Sequence, residues 1–112
     1  MKNTRLNHWS RLFDHFESIE IKKQINADGE IEHTIVLKLE NYSHNQKCKN
    51  AQLTFFGVRA LKLGDIDWPA ALLVNVTDIS QDQMEGIRYS VREDENDLFS
   101  FYCKSFSFQE IS

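Results

Sequence analysis

ESIEIKKQINADGEIEHTIVLKL, Glu17 to Leu39, reads as two strands folded about a turn. Ile19, Ile21 and Ile25 fall on odd positions, as do Ile31, Ile35, Leu37 and Leu39. Side chains alternate between the two faces of a strand, so this spacing describes a sheet with one apolar side. The turn decides the register. A two-residue Asp28-Gly29 loop would set Ile25 against Glu32 and throw the apolar rows onto opposite faces. A three-residue loop, Ala27-Asp28-Gly29, sets Ile25 opposite Ile31, Ile21 opposite Ile35 and Ile19 opposite Leu37. A slip of one residue exchanges the faces, so the second register is predicted. Gly29 then takes the left-handed conformation that follows a type I turn.

The alternation continues down the chain. Leu53 and Phe55 are odd, whereas Val58 and Ala60 are even. This change of phase at Phe56-Gly57 predicts a bulge at Gly57, with a close backbone approach to a ligand as the functional alternative. Leu72, Val74 and Val76 share one face, and so do Ile87, Tyr89 and Val91. Phe99, Phe101 and Cys103 match that face, but after Lys104-Ser105 the apolar positions move to Phe106 and Phe108. The last strand therefore bulges or passes from one sheet layer to another. Its first aromatics follow a neighbour's inner face, which predicts core rather than an exposed binding platform.

At the start, Trp9, Leu12, Phe13 and Phe16 lie at i, i+3, i+4 and i+7, one face of a helix that Asn7 could cap. The expected fold is a single, mainly β domain over residues 1–112. Six antiparallel strands, at about 17–26, 30–40, 51–63, 72–79, 86–93 and 98–110, form a curled sheet or two-layer sandwich. A short N-terminal helix, about 7–16, packs on it. Strands and helices do not alternate, which argues against a parallel α/β fold.

A chain of 112 residues can bury a core without disulfide or metal staples. It contains no apolar run of membrane-helix length and no signal-peptide pattern, so a cytoplasmic protein is expected. Cys103, among aromatics, reads as a small buried hydrophobe. Cys48 stands between Lys47 and Lys49, whose charges would make its thiol more reactive. Charge is divided unevenly. Residues 1–63 hold ten Lys/Arg and seven Asp/Glu, and residues 64–112 hold three and ten, which gives the overall −4. A net-acidic chain is a poor nucleic-acid binder, and an acidic half suits a basic protein partner.

No catalytic, metal or cofactor motif is present. The histidines (His8, His15, His33, His44) do not group as zinc ligands, and CxxC, HExxH, GxSxG and glycine-rich phosphate loops are all missing. His33 replaces an aliphatic on the apolar face and, in the register above, faces Lys23. Two alternatives use it. With Trp9 and the late aromatics it would line a small-molecule pocket between helix and sheet. With a nearby carboxylate it would serve as the base of a hydrolase-like enzyme. The preferred reading is a non-catalytic protein that binds another protein. Its candidate contacts are two acidic segments, Asp78, Asp82 and Glu85, then Glu93, Asp94, Glu95 and Asp97, with Trp68 beside Pro69 as aromatic anchor. An unpaired edge strand would allow a homodimer in any of these cases.

LTFFGVRALKL (residues 53–63), DISQDQMEGIRYSVREDEND (78–97) and FSFYCKSFSFQEI (99–111) resemble a pattern in small bacterial proteins of unknown function, among them proposed immunity proteins of polymorphic toxin systems. The resemblance spans about residues 30–112 and is anchored on Phe56-Gly57-Val58, Ile87-Arg88-Tyr89 and Phe101-Tyr102-Cys103. These are core and bulge positions, so they carry fold more than site. The resemblance implies a cytoplasmic protein that binds and neutralises a toxin domain, and it brings no catalytic residues with it.

Overall fold

The computed structural model describes residues 15–43, 46–64, 72–82 and 85–111, with the side chains of 41–49 and of Asp82 left aside. Eight strands run β1 (His15–Ile25), β2 (Ile31–Ser43), β3 (Gln46–Phe56), β4 (Arg59–Leu63), β5 (Val74–Asp78), β6 (Tyr89–Glu93), β7 (Phe99–Cys103) and β8 (Ser105–Ile111). All pairings are antiparallel. They make two four-stranded sheets, ordered β1-β2-β3-β8 and β4-β7-β6-β5. Among the described residues the only helical element is a 3-10 turn, Ser80–Asp82.

The hairpin that opens the fold has the expected register. Ile25 pairs with Ile31, Ile21 with Ile35 and Ile19 with Leu37. Gly29 has φ +82, as the three-residue loop requires. Asn26 organises the turn, its side-chain oxygen accepting from the amides of Asp28 (2.9 Å) and Glu30 (3.0 Å).

The six expected strands become eight because two of them fold over. Residues 46–63 and 99–111 form one long antiparallel ribbon whose halves serve different sheets: β3 pairs β8 in the first, and β4 pairs β7 in the second. Both phase breaks lie at the same corner. Lys104 N donates to Phe56 O (2.9 Å), and Val58 N donates to His33 O (2.9 Å). Gly57, at φ +65, leaves room for Lys104, whose Cγ and Cδ would lie 2.8 Å from a Cβ there. The close approach at Gly57 is therefore to the chain's own Lys104. Beyond the corner Leu61, not Ala60, packs on the core, because Ala60 is displaced at φ +55 in a β-bulge between Arg59 and Lys62.

The core fills the space between the sheets. Ile35, Leu37, Leu39, Leu53 and Phe55 meet Val74, Val76, Val91, Phe101 and Cys103, all essentially inaccessible to solvent. Phe55 packs edge-on against Phe101 (5.0 Å), and Tyr89 against Phe106 (5.0 Å), so aromatic pairs tie one layer to the other. Phe99, Phe101 and Cys103 are core, as their register implied.

The N-terminal helix requires correction. Its last residues, His15 and Phe16, belong to β1, and Phe16 pairs with Leu39. Alternating strand geometry satisfies these residues once β2 lies beside them. The rest of the predicted helix, with Asn7 and Trp9, falls outside the described residues.

Candidate functional site

The β1–β2 hairpin outruns its neighbours. β3 reaches only to Phe56, opposite Thr34, so Ile31, Glu32 and His33 have no β3 partner. The apolar face that is core at Ile35 and Leu37 continues into solvent at the tip. Ile25 is 74% exposed, Ile31 61% and Ile21 45%. Ile25 and Ile31 form a cross-strand pair, set apart from the buried rows by the polar rung Lys23–His33. Exposed β-branched pairs on a hydrogen-bonded hairpin are held rigidly and lose little entropy when covered, which suits them to binding.

Between this tip and the Gly57–Arg59 corner lies a groove of about 190 Å³. His33, Glu30 and Glu32 stand on its hairpin side, and Arg59 and Lys104 on its corner side. Lys104 Nζ lies 3.5 Å from Glu32 Oε2. The Arg59 side chain has no hydrogen-bond or ion-pair partner among the described residues. Its Nη2 and the Cε of Lys104 lie 3.7 and 3.9 Å from one point above Gly86, where a Cβ would sit, so two cationic side chains converge there. Nearby Arg88 is engaged, with Nη2 3.6 Å from Asp78 Oδ2 and its guanidinium 5.3 Å over the Tyr89 ring.

His33 thus lines a groove. Of the late aromatics, Phe99 and Phe101 are in the core, Phe106 packs against it and Phe108 is partly exposed, while Trp9 lies outside the described residues. Small-molecule pockets typically span about 300–1,000 Å³, so this groove fits a single side chain better than a metabolite. Among the described residues the His33 ring makes no hydrogen bond to a carboxylate, and no three side chains of metal-binding type converge.

The acidic candidates sit at the two ends of the β5–β6 pair. Asp78 pairs with Tyr89 at one end of β5–β6, whereas Glu93 pairs with Val74 at the other. Four residue steps, roughly 14 Å of strand, separate them. Asp78 is also committed internally, to Arg88 and to the Ser80 amide (2.9 Å). Glu85 is exposed near that end, and Asp82 lies in the 3-10 turn.

Glu93 offers almost no surface to a partner. It is 1% exposed, turned inward in phase with Val91. Its carboxylate accepts from the amides of Leu73 (3.0 Å), Glu95 (2.8 Å), Asn96 (2.8 Å) and Leu98 (3.1 Å). A buried charge must be compensated by hydrogen bonds, and here it organises the 94–97 turn. Asp94, Glu95 and Asp97 stay exposed around it, Asp94 accepting from Asn75 Nδ2 (3.0 Å) and Asp97 bending the turn at φ +55. Trp68, and the side chain of Cys48, fall outside the described residues.

Sequence reading missed the isoleucine tip and Arg59. Alternation looks the same whether the facing layer is present or absent, and the tip is exposed only because the second sheet stops short.

A family model described as Immunity protein PIM8 matches residues 2–109. No curated protein and no solved structure matches the chain. The match bears out the resemblance to proposed immunity proteins and extends it across the first thirty residues. The chain belongs to the immunity protein PIM8 family.

Proposed function

We propose that this member of the immunity protein PIM8 family neutralises a toxin domain by binding it, without catalysis, and does so where the toxin would act, in the cytoplasm. The β1–β2 tip is the contact we assign. The observation that carries this is the exposed Ile25–Ile31 pair beside a charged groove, an apolar centre with a polar rim of the kind that anchors protein interfaces. The exposed acids, Asp94, Glu95 and Asp97, serve as peripheral charges that would tune encounter with a partner of complementary potential.

The test begins with a partner. Fragments of the source genome are expressed in a test host and screened for growth arrest that coexpression of this chain relieves. The reading expects a relieved fragment that forms a one-to-one complex with the purified chain. Relief without any complex would overturn it. Ile25→Ser and Ile31→Ser, at positions already in solvent, should leave the melting temperature within a few degrees of wild type. Together they should weaken the complex by tenfold or more, read by calorimetry. Undiminished affinity would remove the tip from the interface.

A further inference from the structure

We propose that the groove between the hairpin and the Gly57–Arg59 corner receives a carboxylate side chain of the toxin partner, with Arg59 as its ligand. This rests on the toxin-binding reading and adds the chemistry of the group recognised.

Three observations converge. Arg59 is exposed on the groove wall with no partner among the described residues, whereas neighbouring Lys104 and Arg88 each have a carboxylate. Arg59 and Lys104 approach the same point above Gly86, and Glu32 lies beside Lys104 alone, so a second anion would relieve their mutual repulsion. His33 lines the hairpin side together with Glu30 and Glu32, so the groove's own charges nearly balance and the unpaired guanidinium is the group left to engage a ligand. A guanidinium presents a planar fork of donors that matches a carboxylate in a bidentate pair, and a groove of about 190 Å³ holds one such side chain. Ile31 lines the same groove and is continuous with the exposed tip, so the partner's acidic residue should stand beside an apolar one. The chain's net charge of −4 would lead one to expect the reverse, a basic partner surface at every contact. The open guanidinium of Arg59, not the total charge, decides what enters the groove.

Two arms test this. In the first, the ¹⁵N-labelled full chain is titrated at low salt with the diamide N-acetyl-glutamate N′-methylamide, and separately with its glutamine isostere. Saturable shifts are expected at the amides of Gly57, Val58 and Lys104 and at Arg59 Nε with the glutamate probe only, abolished by Arg59→Gln. No shift, or equal shifts with the isostere, would overturn the proposal. The second arm uses the toxin domain identified by growth relief. Arg59→Glu should weaken that complex at least tenfold and Arg59→Lys by less, with melting temperatures unchanged. If Arg59→Glu binds as wild type does while the Ile25→Ser/Ile31→Ser double variant does not, carboxylate capture fails and toxin binding through the tip stands. If neither variant changes affinity, the tip assignment fails as well.

Discussion

A carboxylate in the place of an aliphatic, as at Glu93, calls for hydrogen bonds in proportion to its charge. Four backbone amides supply them: three belong to the residues that turn the chain from β6 into β7, and the fourth, Leu73, enters β5. Removing the side chain strands those amides in a buried site. Glu93→Ala should therefore cost about 3 kcal/mol in urea unfolding, and Glu93→Gln less, since an amide oxygen can still accept. Cys103 shows the complementary effect. Burial pushes its thiol up from an ordinary 9.0 to about 12. In the unfolded chain the thiol ionises from pH 9 upward, while the folded protein keeps it protonated. The contribution is thus complete below pH 9 and declines as pH rises towards 12, by about 1.4 kcal/mol per pH unit. Urea unfolding of wild type and Cys103→Ala between pH 8 and 11 should show that slope in their difference, and alkylation of Cys103 should require unfolding.

At the scale of elements, the corner at Gly57 and Lys104 joins the two layers. Gly57→Ala would put a methyl against the Lys104 side chain and hold an L residue at φ +65. A flexible lysine can shift, so the backbone strain dominates, about 1–2 kcal/mol, visible as a lower urea midpoint. Much of this level was legible in the sequence. The β1–β2 register followed from alternation and loop length, both local. The phase breaks at Phe56-Gly57 and Lys104-Ser105 were visible as well. That they are one corner was not, since residues nearly fifty positions apart meet there and no spacing encodes the meeting. Glu93 was within reach, because it continues the odd series Tyr89 and Val91, but it was read with the acidic run that follows. The isoleucine tip had no readable signal, because what lies across a strand is a property of the other sheet.

For the whole molecule, the ribbon of residues 46–63 with 99–111 is what makes two sheets out of one chain. β7 lies between β4 and β6, and β8 closes the β3 edge. Without 99–111, β4 has no neighbour and Phe55 loses both Phe101 and Phe106. A chain ending at Leu98 should show no cooperative urea transition and should be cut rapidly by protease, while β1–β3 alone cannot bury its apolar face. The same dependence governs timing at the ribosome. Synthesis proceeds at about 5–20 residues per second, so residues 99–111 take on the order of a second, and folding waits until they have emerged. Local pairing can begin early, but the distant pairing comes last and is intrinsically slow. Under the proposed toxin-binding role, a nascent chain would protect nothing, and safety would depend on the stock of molecules already finished when a toxin arrives.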